Sequence, residues 1–156
     1  MTMLRDTVGA KSARPKPKET VPYRLDDQVG FVLRKVSQRH TSLFAALIGE
    51  DVTPTQWAVL AKLAEKGPLS QNLLGRETAM DAATVKGVVD RLTKRDLLDV
   101  APDVKDQRLL NVSLSQAGRK LTDELTQRAH EITERTLAPL TAAEQRTLLA
   151  LLSKLC

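Results

Sequence analysis

The sequence predicts a mainly α-helical fold with one small β-hairpin. Apolar residues recur at three- and four-residue steps over most of the chain, as they do on one face of a helix. Residues 97–101 and 109–114 are instead two short runs rich in Leu and Val, and the polar segment between them is typical of a hairpin turn. Aromatic residues make up only 3% of the chain, so the core must consist mostly of Leu, Val and Ala.

Length and composition are those of one globular domain. The chain has 156 residues, of which 42% are apolar and 28% charged. It lacks a secretory signal and the roughly 18 consecutive apolar residues of a membrane-spanning helix, so we expect a cytoplasmic protein without a membrane partner. The single cysteine, Cys156, is the last residue and is interpreted as incidental.

The positive charge is concentrated at the amino-terminal end. Residues 1–22 carry +3 of the net +5 and contain three prolines, which predicts a disordered basic tail before a single domain over residues 23–156. The tail either strengthens non-specific contact with phosphates or only keeps the chain soluble. Because the domain itself is only weakly basic, any nucleic-acid contact must depend on where its charges are placed.

The first predicted helix extends from Leu25 to about Ile48 and has a broad apolar stripe. Such a stripe near a chain end often packs against a second subunit. Thr53-Pro54-Thr55-Gln56 is a capping box with proline at the first helical position, and Gly67-Pro68 ends that second helix. Ser70 caps a short third helix.

A fourth helix, capped by Asp81, has one apolar face and one polar, partly basic face. The apolar stripe consists of Val85, Val88, Val89 and Leu92. The opposite face, with its flanks, consists of Ala83, Thr84, Lys86, Gly87, Asp90, Arg91 and Lys94. Small residues allow close approach and the cations supply donors, as the DNA major groove requires. An ordinary surface helix is the alternative, but the preceding short helix completes a helix-turn-helix pattern.

The hairpin that follows is interpreted as a wing, so that a winged helix-turn-helix lobe covers about residues 53–114. Arg108 in its turn is the cation that enters an adjacent minor groove. Asp106 either bonds the Arg108 guanidinium or makes local backbone bonds within the turn.

Two more helices complete the pattern. Ser115 caps a long helix ending near Leu137, and Thr141 to Glu144 is a second capping box before a last, leucine-rich helix. The leucines cover nearly every side of that helix, so residues 25–49 and 115–155 are predicted to form a helical dimerisation region. A homodimer would present two wings and two recognition helices to a pseudo-palindromic site in double-stranded DNA.

From about Leu25 to Leu155 the chain resembles the MarR family of bacterial transcriptional regulators. The segments that carry the resemblance are TPTQWAVLAKLAEKGPLSQ, TVKGVVDRLTKRDLL and DQRLLNVSLSQAG, and the Asp106-x-Arg108 of the last is the most specific. The resemblance implies a dimer that represses a promoter until a small molecule binds. The chain departs from the family pattern at Asp96, where glycine is usual, and at Val100 and Ala101, where a basic pair is usual.

The first helix, VGFVLRKVSQRHTSLF, is similar to that of members controlling the breakdown of aromatic acids. The resemblance implies that Arg34 and His40 help to bind a hydroxybenzoate- or nicotinate-like carboxylate, with Phe44 and Trp57 as apolar walls. Residues six apart are about 120° apart around a helix, so Arg34 and His40 would flank a ligand. A solvated Arg34 and an interface His40 are the alternatives.

In this interpretation the DNA contacts fall into three groups. Ser70 and Gln71 bond phosphates at the start of the third helix, and Arg108, with Asp106 beside it, serves the minor groove. The major-groove residues are Thr84, Lys86, Arg91 and Lys94.

Catalysis is not expected. The two histidines, His40 and His130, lie on separate predicted helices without metal-ligand partners, and there is no glycine-rich phosphate loop or nucleophile constellation. We therefore predict no enzyme activity, no catalytic or metal-binding residue and no cofactor. The competing interpretation is a helical dimer that shapes DNA or binds another protein without an effector.

Overall fold

The computed structural model describes residues 22–49, 51–104 and 106–156. A short 3₁₀ turn, Leu25–Asp27, comes first. The helices and strands of the described part then follow in the order α1 (Val29–Ile48), α2 (Pro54–Lys66), β1 (Leu69–Ser70), α3 (Gln71–Glu77), α4 (Ala82–Thr93), β2 (Leu98–Pro102), β3 (Leu110–Leu114), α5 (Gln116–Leu137) and α6 (Ala142–Leu152). The predicted basic tail lies outside the described residues except for Pro22.

Side-chain caps set the starts of five helices. In each case a Ser, Thr or Asp oxygen accepts a hydrogen bond from the amide three residues later, which satisfies a donor that the first helical turn leaves free. The predicted caps are confirmed at Thr53, Ser70, Asp81, Ser115 and Thr141. The start of α1 is four residues later than predicted, because Gln28 has an extended backbone that separates the 3₁₀ turn from the helix.

The hairpin is confirmed, but it does not stand alone. Strands β2 and β3 pair antiparallel, with Leu98 opposite Leu114 and Pro102 opposite Leu110. The two-residue strand β1 pairs with the other edge of β3, placing Ser70 opposite Asn111, so the sheet order is β1-β3-β2. A strand of two residues is too short to show an alternating pattern, which is why the sequence did not reveal it.

The core of the lobe is formed by the apolar stripe of α4. The four predicted stripe residues are at most 2% exposed. They belong to one cluster with residues of α2, α3 and the sheet, whose most deeply buried members are Val59, Leu60, Leu74 and Val112. This packing fixes which face of α4 points outward.

The long helices leave apolar surface uncovered in the single chain. Helix α1 packs on α5, and its residues Phe44 and Ile48 are buried. Large apolar side chains toward the start of α1 and the end of the chain are exposed: Val29, Val32, Leu33, Val36, Leu149, Leu151 and Leu155. Within the described residues, no helix combines the length and apolar character that a bilayer crossing requires.

Asp96 adopts a conformation that favours glycine, as expected where the family pattern has that residue. Its φ is +58°, and its carbonyl accepts a 2.6 Å bond from the Ser115 hydroxyl, which glycine would retain. We expect Asp96→Gly to raise the free energy of unfolding by about 0.5 kcal/mol, because relief of strain outweighs the gain in unfolded-state entropy. Lys94→Gly, at an ordinary helical position, should instead lower it by about 0.5–1 kcal/mol in the same urea titration. Destabilisation of equal size in both variants would contradict the strain argument.

Candidate nucleic-acid interface

Helix α4 begins at a tightly held cap. The Asp81 carboxylate accepts hydrogen bonds from the backbone amide of Thr84 at 2.8 Å and from its hydroxyl at 2.7 Å. The amide bond, and then the hydroxyl bond, hold the pKa of the Asp81 carboxyl below its ordinary value. Thr84, a predicted DNA contact, is therefore fixed in orientation at the exposed end of the helix.

This cap makes stability depend on pH in a predictable direction. Because the folded pKa of Asp81 is lowered, its contribution is fully present above the unfolded pKa and is lost as pH falls through the folded value. We expect Asp81→Ala to lower the melting temperature by about 2–4 °C at pH 7, with the difference shrinking toward pH 3. Asp81→Asn keeps an uncharged acceptor, so its melting temperature should follow the wild type near neutrality. A deficit of Asp81→Ala that stays constant over this range would contradict the assignment.

The outer face of α4 carries three cations at its exposed positions. Lys86 Nζ lies 2.7 Å from Asp90 Oδ2, and both side chains are more than half exposed. The Arg91 guanidinium lies along the helix, with Nη1 3.4 Å from the point where a β-carbon at Gly87 would be. Gly87 thus leaves room for Arg91, and Lys94 follows at the end of the helix.

The turn of the hairpin is held by acidic side chains. Asp106 Oδ1 accepts the backbone amide of Arg108 at 3.0 Å, and Asp103 Oδ2 accepts from Asn111 Nδ2 at 2.6 Å. The structure shows the local backbone bond, which is one of the two roles predicted for Asp106. The other role, a contact with the Arg108 guanidinium, is not found among the ion pairs of the described residues. Asp106 and Arg108 are two residues apart, which is the spacing of an Asx turn. The backbone bond of that turn competes with the guanidinium for the carboxylate oxygens of Asp106.

Arg108 meets the start of α3 in a cleft of about 170 Å³. Pairing of Ser70 with Asn111 brings the beginning of α3 to the hairpin, so Ser70 and Arg108, which are far apart in the sequence, border the same cleft. The predicted residues Ser70, Gln71 and Arg108 line this cleft together with Asn72, Leu109 and Leu110. Asn72 was not predicted, although an exposed polar residue in the first turn of α3 was a usable signal.

A second cavity, of about 200 Å³, lies between α1, α2 and α5. We call it the α1–α2–α5 cavity. Three of the four predicted effector residues line it, with contributions from α5: His40, Phe44, Pro54, Trp57, Ala129, Ile132 and Thr133. Arg34 does not line it, and instead borders a separate groove of about 530 Å³ along α1 with Ser37, Gln38, Thr41 and Ser42.

His40 is oriented by a hydroxyl on α5. Its Nδ1 lies 3.0 Å from Thr136 Oγ1, and that hydroxyl donates its only proton to the carbonyl of Ile132 at 2.7 Å. With that proton on the Ile132 carbonyl, the bond to Thr136 favours the tautomer in which Nδ1 carries the hydrogen. The hydrogen bond orients the ring at the border of the cavity, where polar groups stand beside the apolar side chains of Phe44 and Trp57.

Comparison with known proteins decides the family. The sequence pattern of the MarR family matches residues 50–109. The transcriptional repressor NicR of Pseudomonas putida is 38% identical over 140 residues, which cover 89% of both chains. The chain belongs to the MarR family. The resemblance found in the sequence is thereby confirmed.

Solved structures agree with this MarR-family assignment. A probable transcriptional regulator from Pseudomonas aeruginosa is 56% identical, with a TM-score of 0.81 over 85% of this chain and all of the other. BpsR of Bordetella bronchiseptica, whose DNA binding is regulated by 6-hydroxynicotinic acid, is 38% identical, with a TM-score of 0.83 over 86% and 97% of the two chains. These relatives are transcriptional regulators rather than enzymes.

Two of the three departures from the MarR-family pattern lie on the first strand of the wing. Val100 and Ala101 are exposed on β2, opposite Val112 and Asn111 of β3. The positions where a basic pair is usual therefore present small apolar side chains to solvent.

Proposed function

We propose that this MarR-family chain is a cytoplasmic, homodimeric repressor that leaves a pseudo-palindromic operator when a small aromatic carboxylate binds. The observation that carries the DNA part is the cleft in which Arg108 meets Ser70 and Gln71, and the cation-bearing outer face of α4 adds to it. Ser70 and Gln71 would hold phosphates and Arg108 would enter the minor groove. Thr84, Lys86, Arg91 and Lys94 would face the major groove, while Asp106 holds the turn.

The exposed apolar surface supports the dimer. Large aliphatic residues of α1 and α6 would each forgo about 1.5–3 kcal/mol of burial if they stayed in water. Two mostly apolar hollows, of about 630 and 470 Å³, lie among α1, α5 and α6 and share the residues Val36, Thr136, Leu137 and Leu148. A second copy that covers this surface would also supply the symmetry of a two-half-site operator.

The α1–α2–α5 cavity supports a small effector. It is too small for a drug-sized ligand and combines apolar walls with one oriented imidazole, at His40. Because DNA binding of the related BpsR is regulated by 6-hydroxynicotinic acid, we propose hydroxylated pyridine or benzene carboxylates as the ligand class. Phe44 and Trp57 would contact the ring. Arg34 borders the separate groove along α1, so its side chain would have to turn toward His40 to flank the carboxylate.

The test is a titration of the protein against DNA from upstream of its own gene and against unrelated DNA at one salt concentration. We expect the upstream DNA to bind at least about 1,000-fold more tightly, and 6-hydroxynicotinate or a hydroxybenzoate to release it. Equal affinity for both DNAs would contradict the repressor proposal and favour a DNA-architectural dimer.

Arg34→Ala tests the effector part separately. We expect it to raise the acid concentration needed for half-maximal release by about tenfold, because a guanidinium–carboxylate pair is lost. Operator affinity without acid should change less than about twofold. Lys35→Ala is the matched control, since Lys35 stands over the Phe31 ring, 5.5 Å from its centroid. An unchanged acid response in Arg34→Ala, measured by fluorescence anisotropy, would remove Arg34 from the proposed site.

A further inference from the structure

One hydrogen bond joins the end of α4 directly to the connection between α1 and α2. Arg95, two residues beyond α4, donates from Nη1 to the carbonyl oxygen of Asp51 at 2.6 Å. Asp51 lies between Gly49, which ends α1, and Thr53, which caps α2. A side chain at the end of the recognition helix therefore reaches a segment 44 residues earlier.

The acceptor of this bond, the Asp51 carbonyl, is close in the sequence to residues that line the α1–α2–α5 cavity. Pro54, three residues after Asp51, lines that cavity together with Phe44 and Trp57. Val52, between them, is only 3% exposed, so the connection is anchored in the core. A ligand that displaces Pro54 must therefore move the Asp51 carbonyl or strain a short, anchored segment.

The donor end is fixed to α4. The amide of Arg95 bonds the carbonyl of Leu92 at 3.2 Å, and the amide of Asp96 bonds that of Thr93 at 2.9 Å. The backbone of Arg95 thus continues the last turn of α4. A change in the position of the Asp51 carbonyl, which the Arg95 guanidinium bonds, therefore acts on the end of the recognition helix.

We propose that Arg95 is a positioning residue that couples occupancy of the α1–α2–α5 cavity to the orientation of α4. The inference deepens the proposed function and rests on it for the identity of the ligand. When the cavity is occupied, the Asp51 carbonyl moves relative to Arg95 and the end of α4 follows. By thermodynamic reciprocity, operator binding changes the affinity of the cavity for the ligand by the same factor as the ligand changes operator affinity.

The experiment uses Trp57, the single tryptophan, which lines the cavity and reports on it by fluorescence. Wild type, Arg95→Ala and Arg128→Ala are titrated with operator DNA, and Trp57 emission is recorded without any acid. Operator affinity is then measured with and without saturating 6-hydroxynicotinate, and the acid's own Kd is measured by Trp57 quenching. Arg128→Ala is the control, because it removes an exposed arginine from the middle of α5, outside the proposed DNA contacts and the cavity.

In wild type and Arg128→Ala, operator binding should change Trp57 emission, and acid should weaken operator binding by about tenfold or more. In Arg95→Ala, saturating operator should leave the emission unchanged and acid should weaken binding by about twofold or less, with an unaltered Kd for the acid. The proposal is overturned if acid weakens operator binding by the same factor in Arg95→Ala as in wild type. It is also overturned if operator binding leaves the Trp57 emission of the wild type unchanged.

One further outcome and one further variant separate the possible failures. If acid has no effect on wild type while operator changes Trp57 emission only when Arg95 is present, the proposed effector class is wrong and the coupling through Arg95 stands. If Arg95→Ala does not fold, Arg95→Met keeps the aliphatic stem without its donors and is read by the same two criteria.

Discussion

Replacing Gly118 with alanine is expected to destabilise the protein by about 3 kcal/mol or more. Gly118 lies in the first turn of α5, where its amide donates to the Ser115 hydroxyl at 2.9 Å. A β-carbon there would lie 2.0 Å from the carbonyl oxygen of Leu97 and 3.0 Å from its carbonyl carbon. Both atoms are backbone, so no change of side-chain rotamer relieves the overlap, and α5 must separate from the start of β2. Urea denaturation followed by circular dichroism measures the loss.

Gly30→Ala is the matched control. Gly30 is also in the first turn of a helix, but a β-carbon there would have no heavy atom within 4 Å. We expect this variant to match the wild type or to gain up to about 1 kcal/mol, because alanine is the better helix former. If Gly118→Ala unfolds at the wild-type urea concentration, the close approach of α5 to Leu97 is wrong.

Arg108→Ala is expected to weaken operator binding by about tenfold or more while leaving the fold intact. The side chain is exposed and lines only the cleft beside α3, whereas the turn is held by Asp103 and Asp106 through bonds that do not use the guanidinium. Anisotropy titrations at several salt concentrations measure the affinity. If the guanidinium contacts a phosphate, the slope of log affinity against log salt should also fall by about 1.

The control for Arg108 is Arg128→Ala, which removes an exposed arginine from the middle of α5. It lowers the net charge by the same amount, so a general electrostatic effect would weaken binding equally in both variants. We expect Arg128→Ala to bind operator within about twofold of the wild type. Equal losses in the two variants would assign the effect of Arg108 to total charge.

Local chemistry explains what the sequence revealed about the fold. A helix cap needs only a side chain and an amide three residues later, so it can be predicted from the sequence without any tertiary contact. This holds for the caps at Thr53, Ser70, Asp81, Ser115 and Thr141. The apolar stripe on α4 can likewise be predicted from its helical period. Strand β1 could not be predicted, because its two residues become a strand only by pairing with β3, more than 40 residues later.

The candidate sites show the same division. The exposed face of α4 follows from helical period, so its cations can be assigned from the sequence alone. The cleft of Ser70, Gln71 and Arg108 depends on strand pairing, and the bond from Arg95 to Asp51 crosses 44 residues. The grouping of His40, Phe44 and Trp57 was expected only through the family resemblance, and the separation of Arg34 from them requires the packing of α1 on α5.

The central position of β3 limits how the wing can evolve. Because β3 is paired on both edges, an insertion of one residue within it would turn every following side chain to the opposite face of the sheet. It would also break the pairing of Ser70 with Asn111, and with it the junction between the wing and α3. The register ends at the backbone bond from the Asp103 amide to the Leu109 carbonyl, so length variation that suits new operators is expected only in the turn that this bond closes.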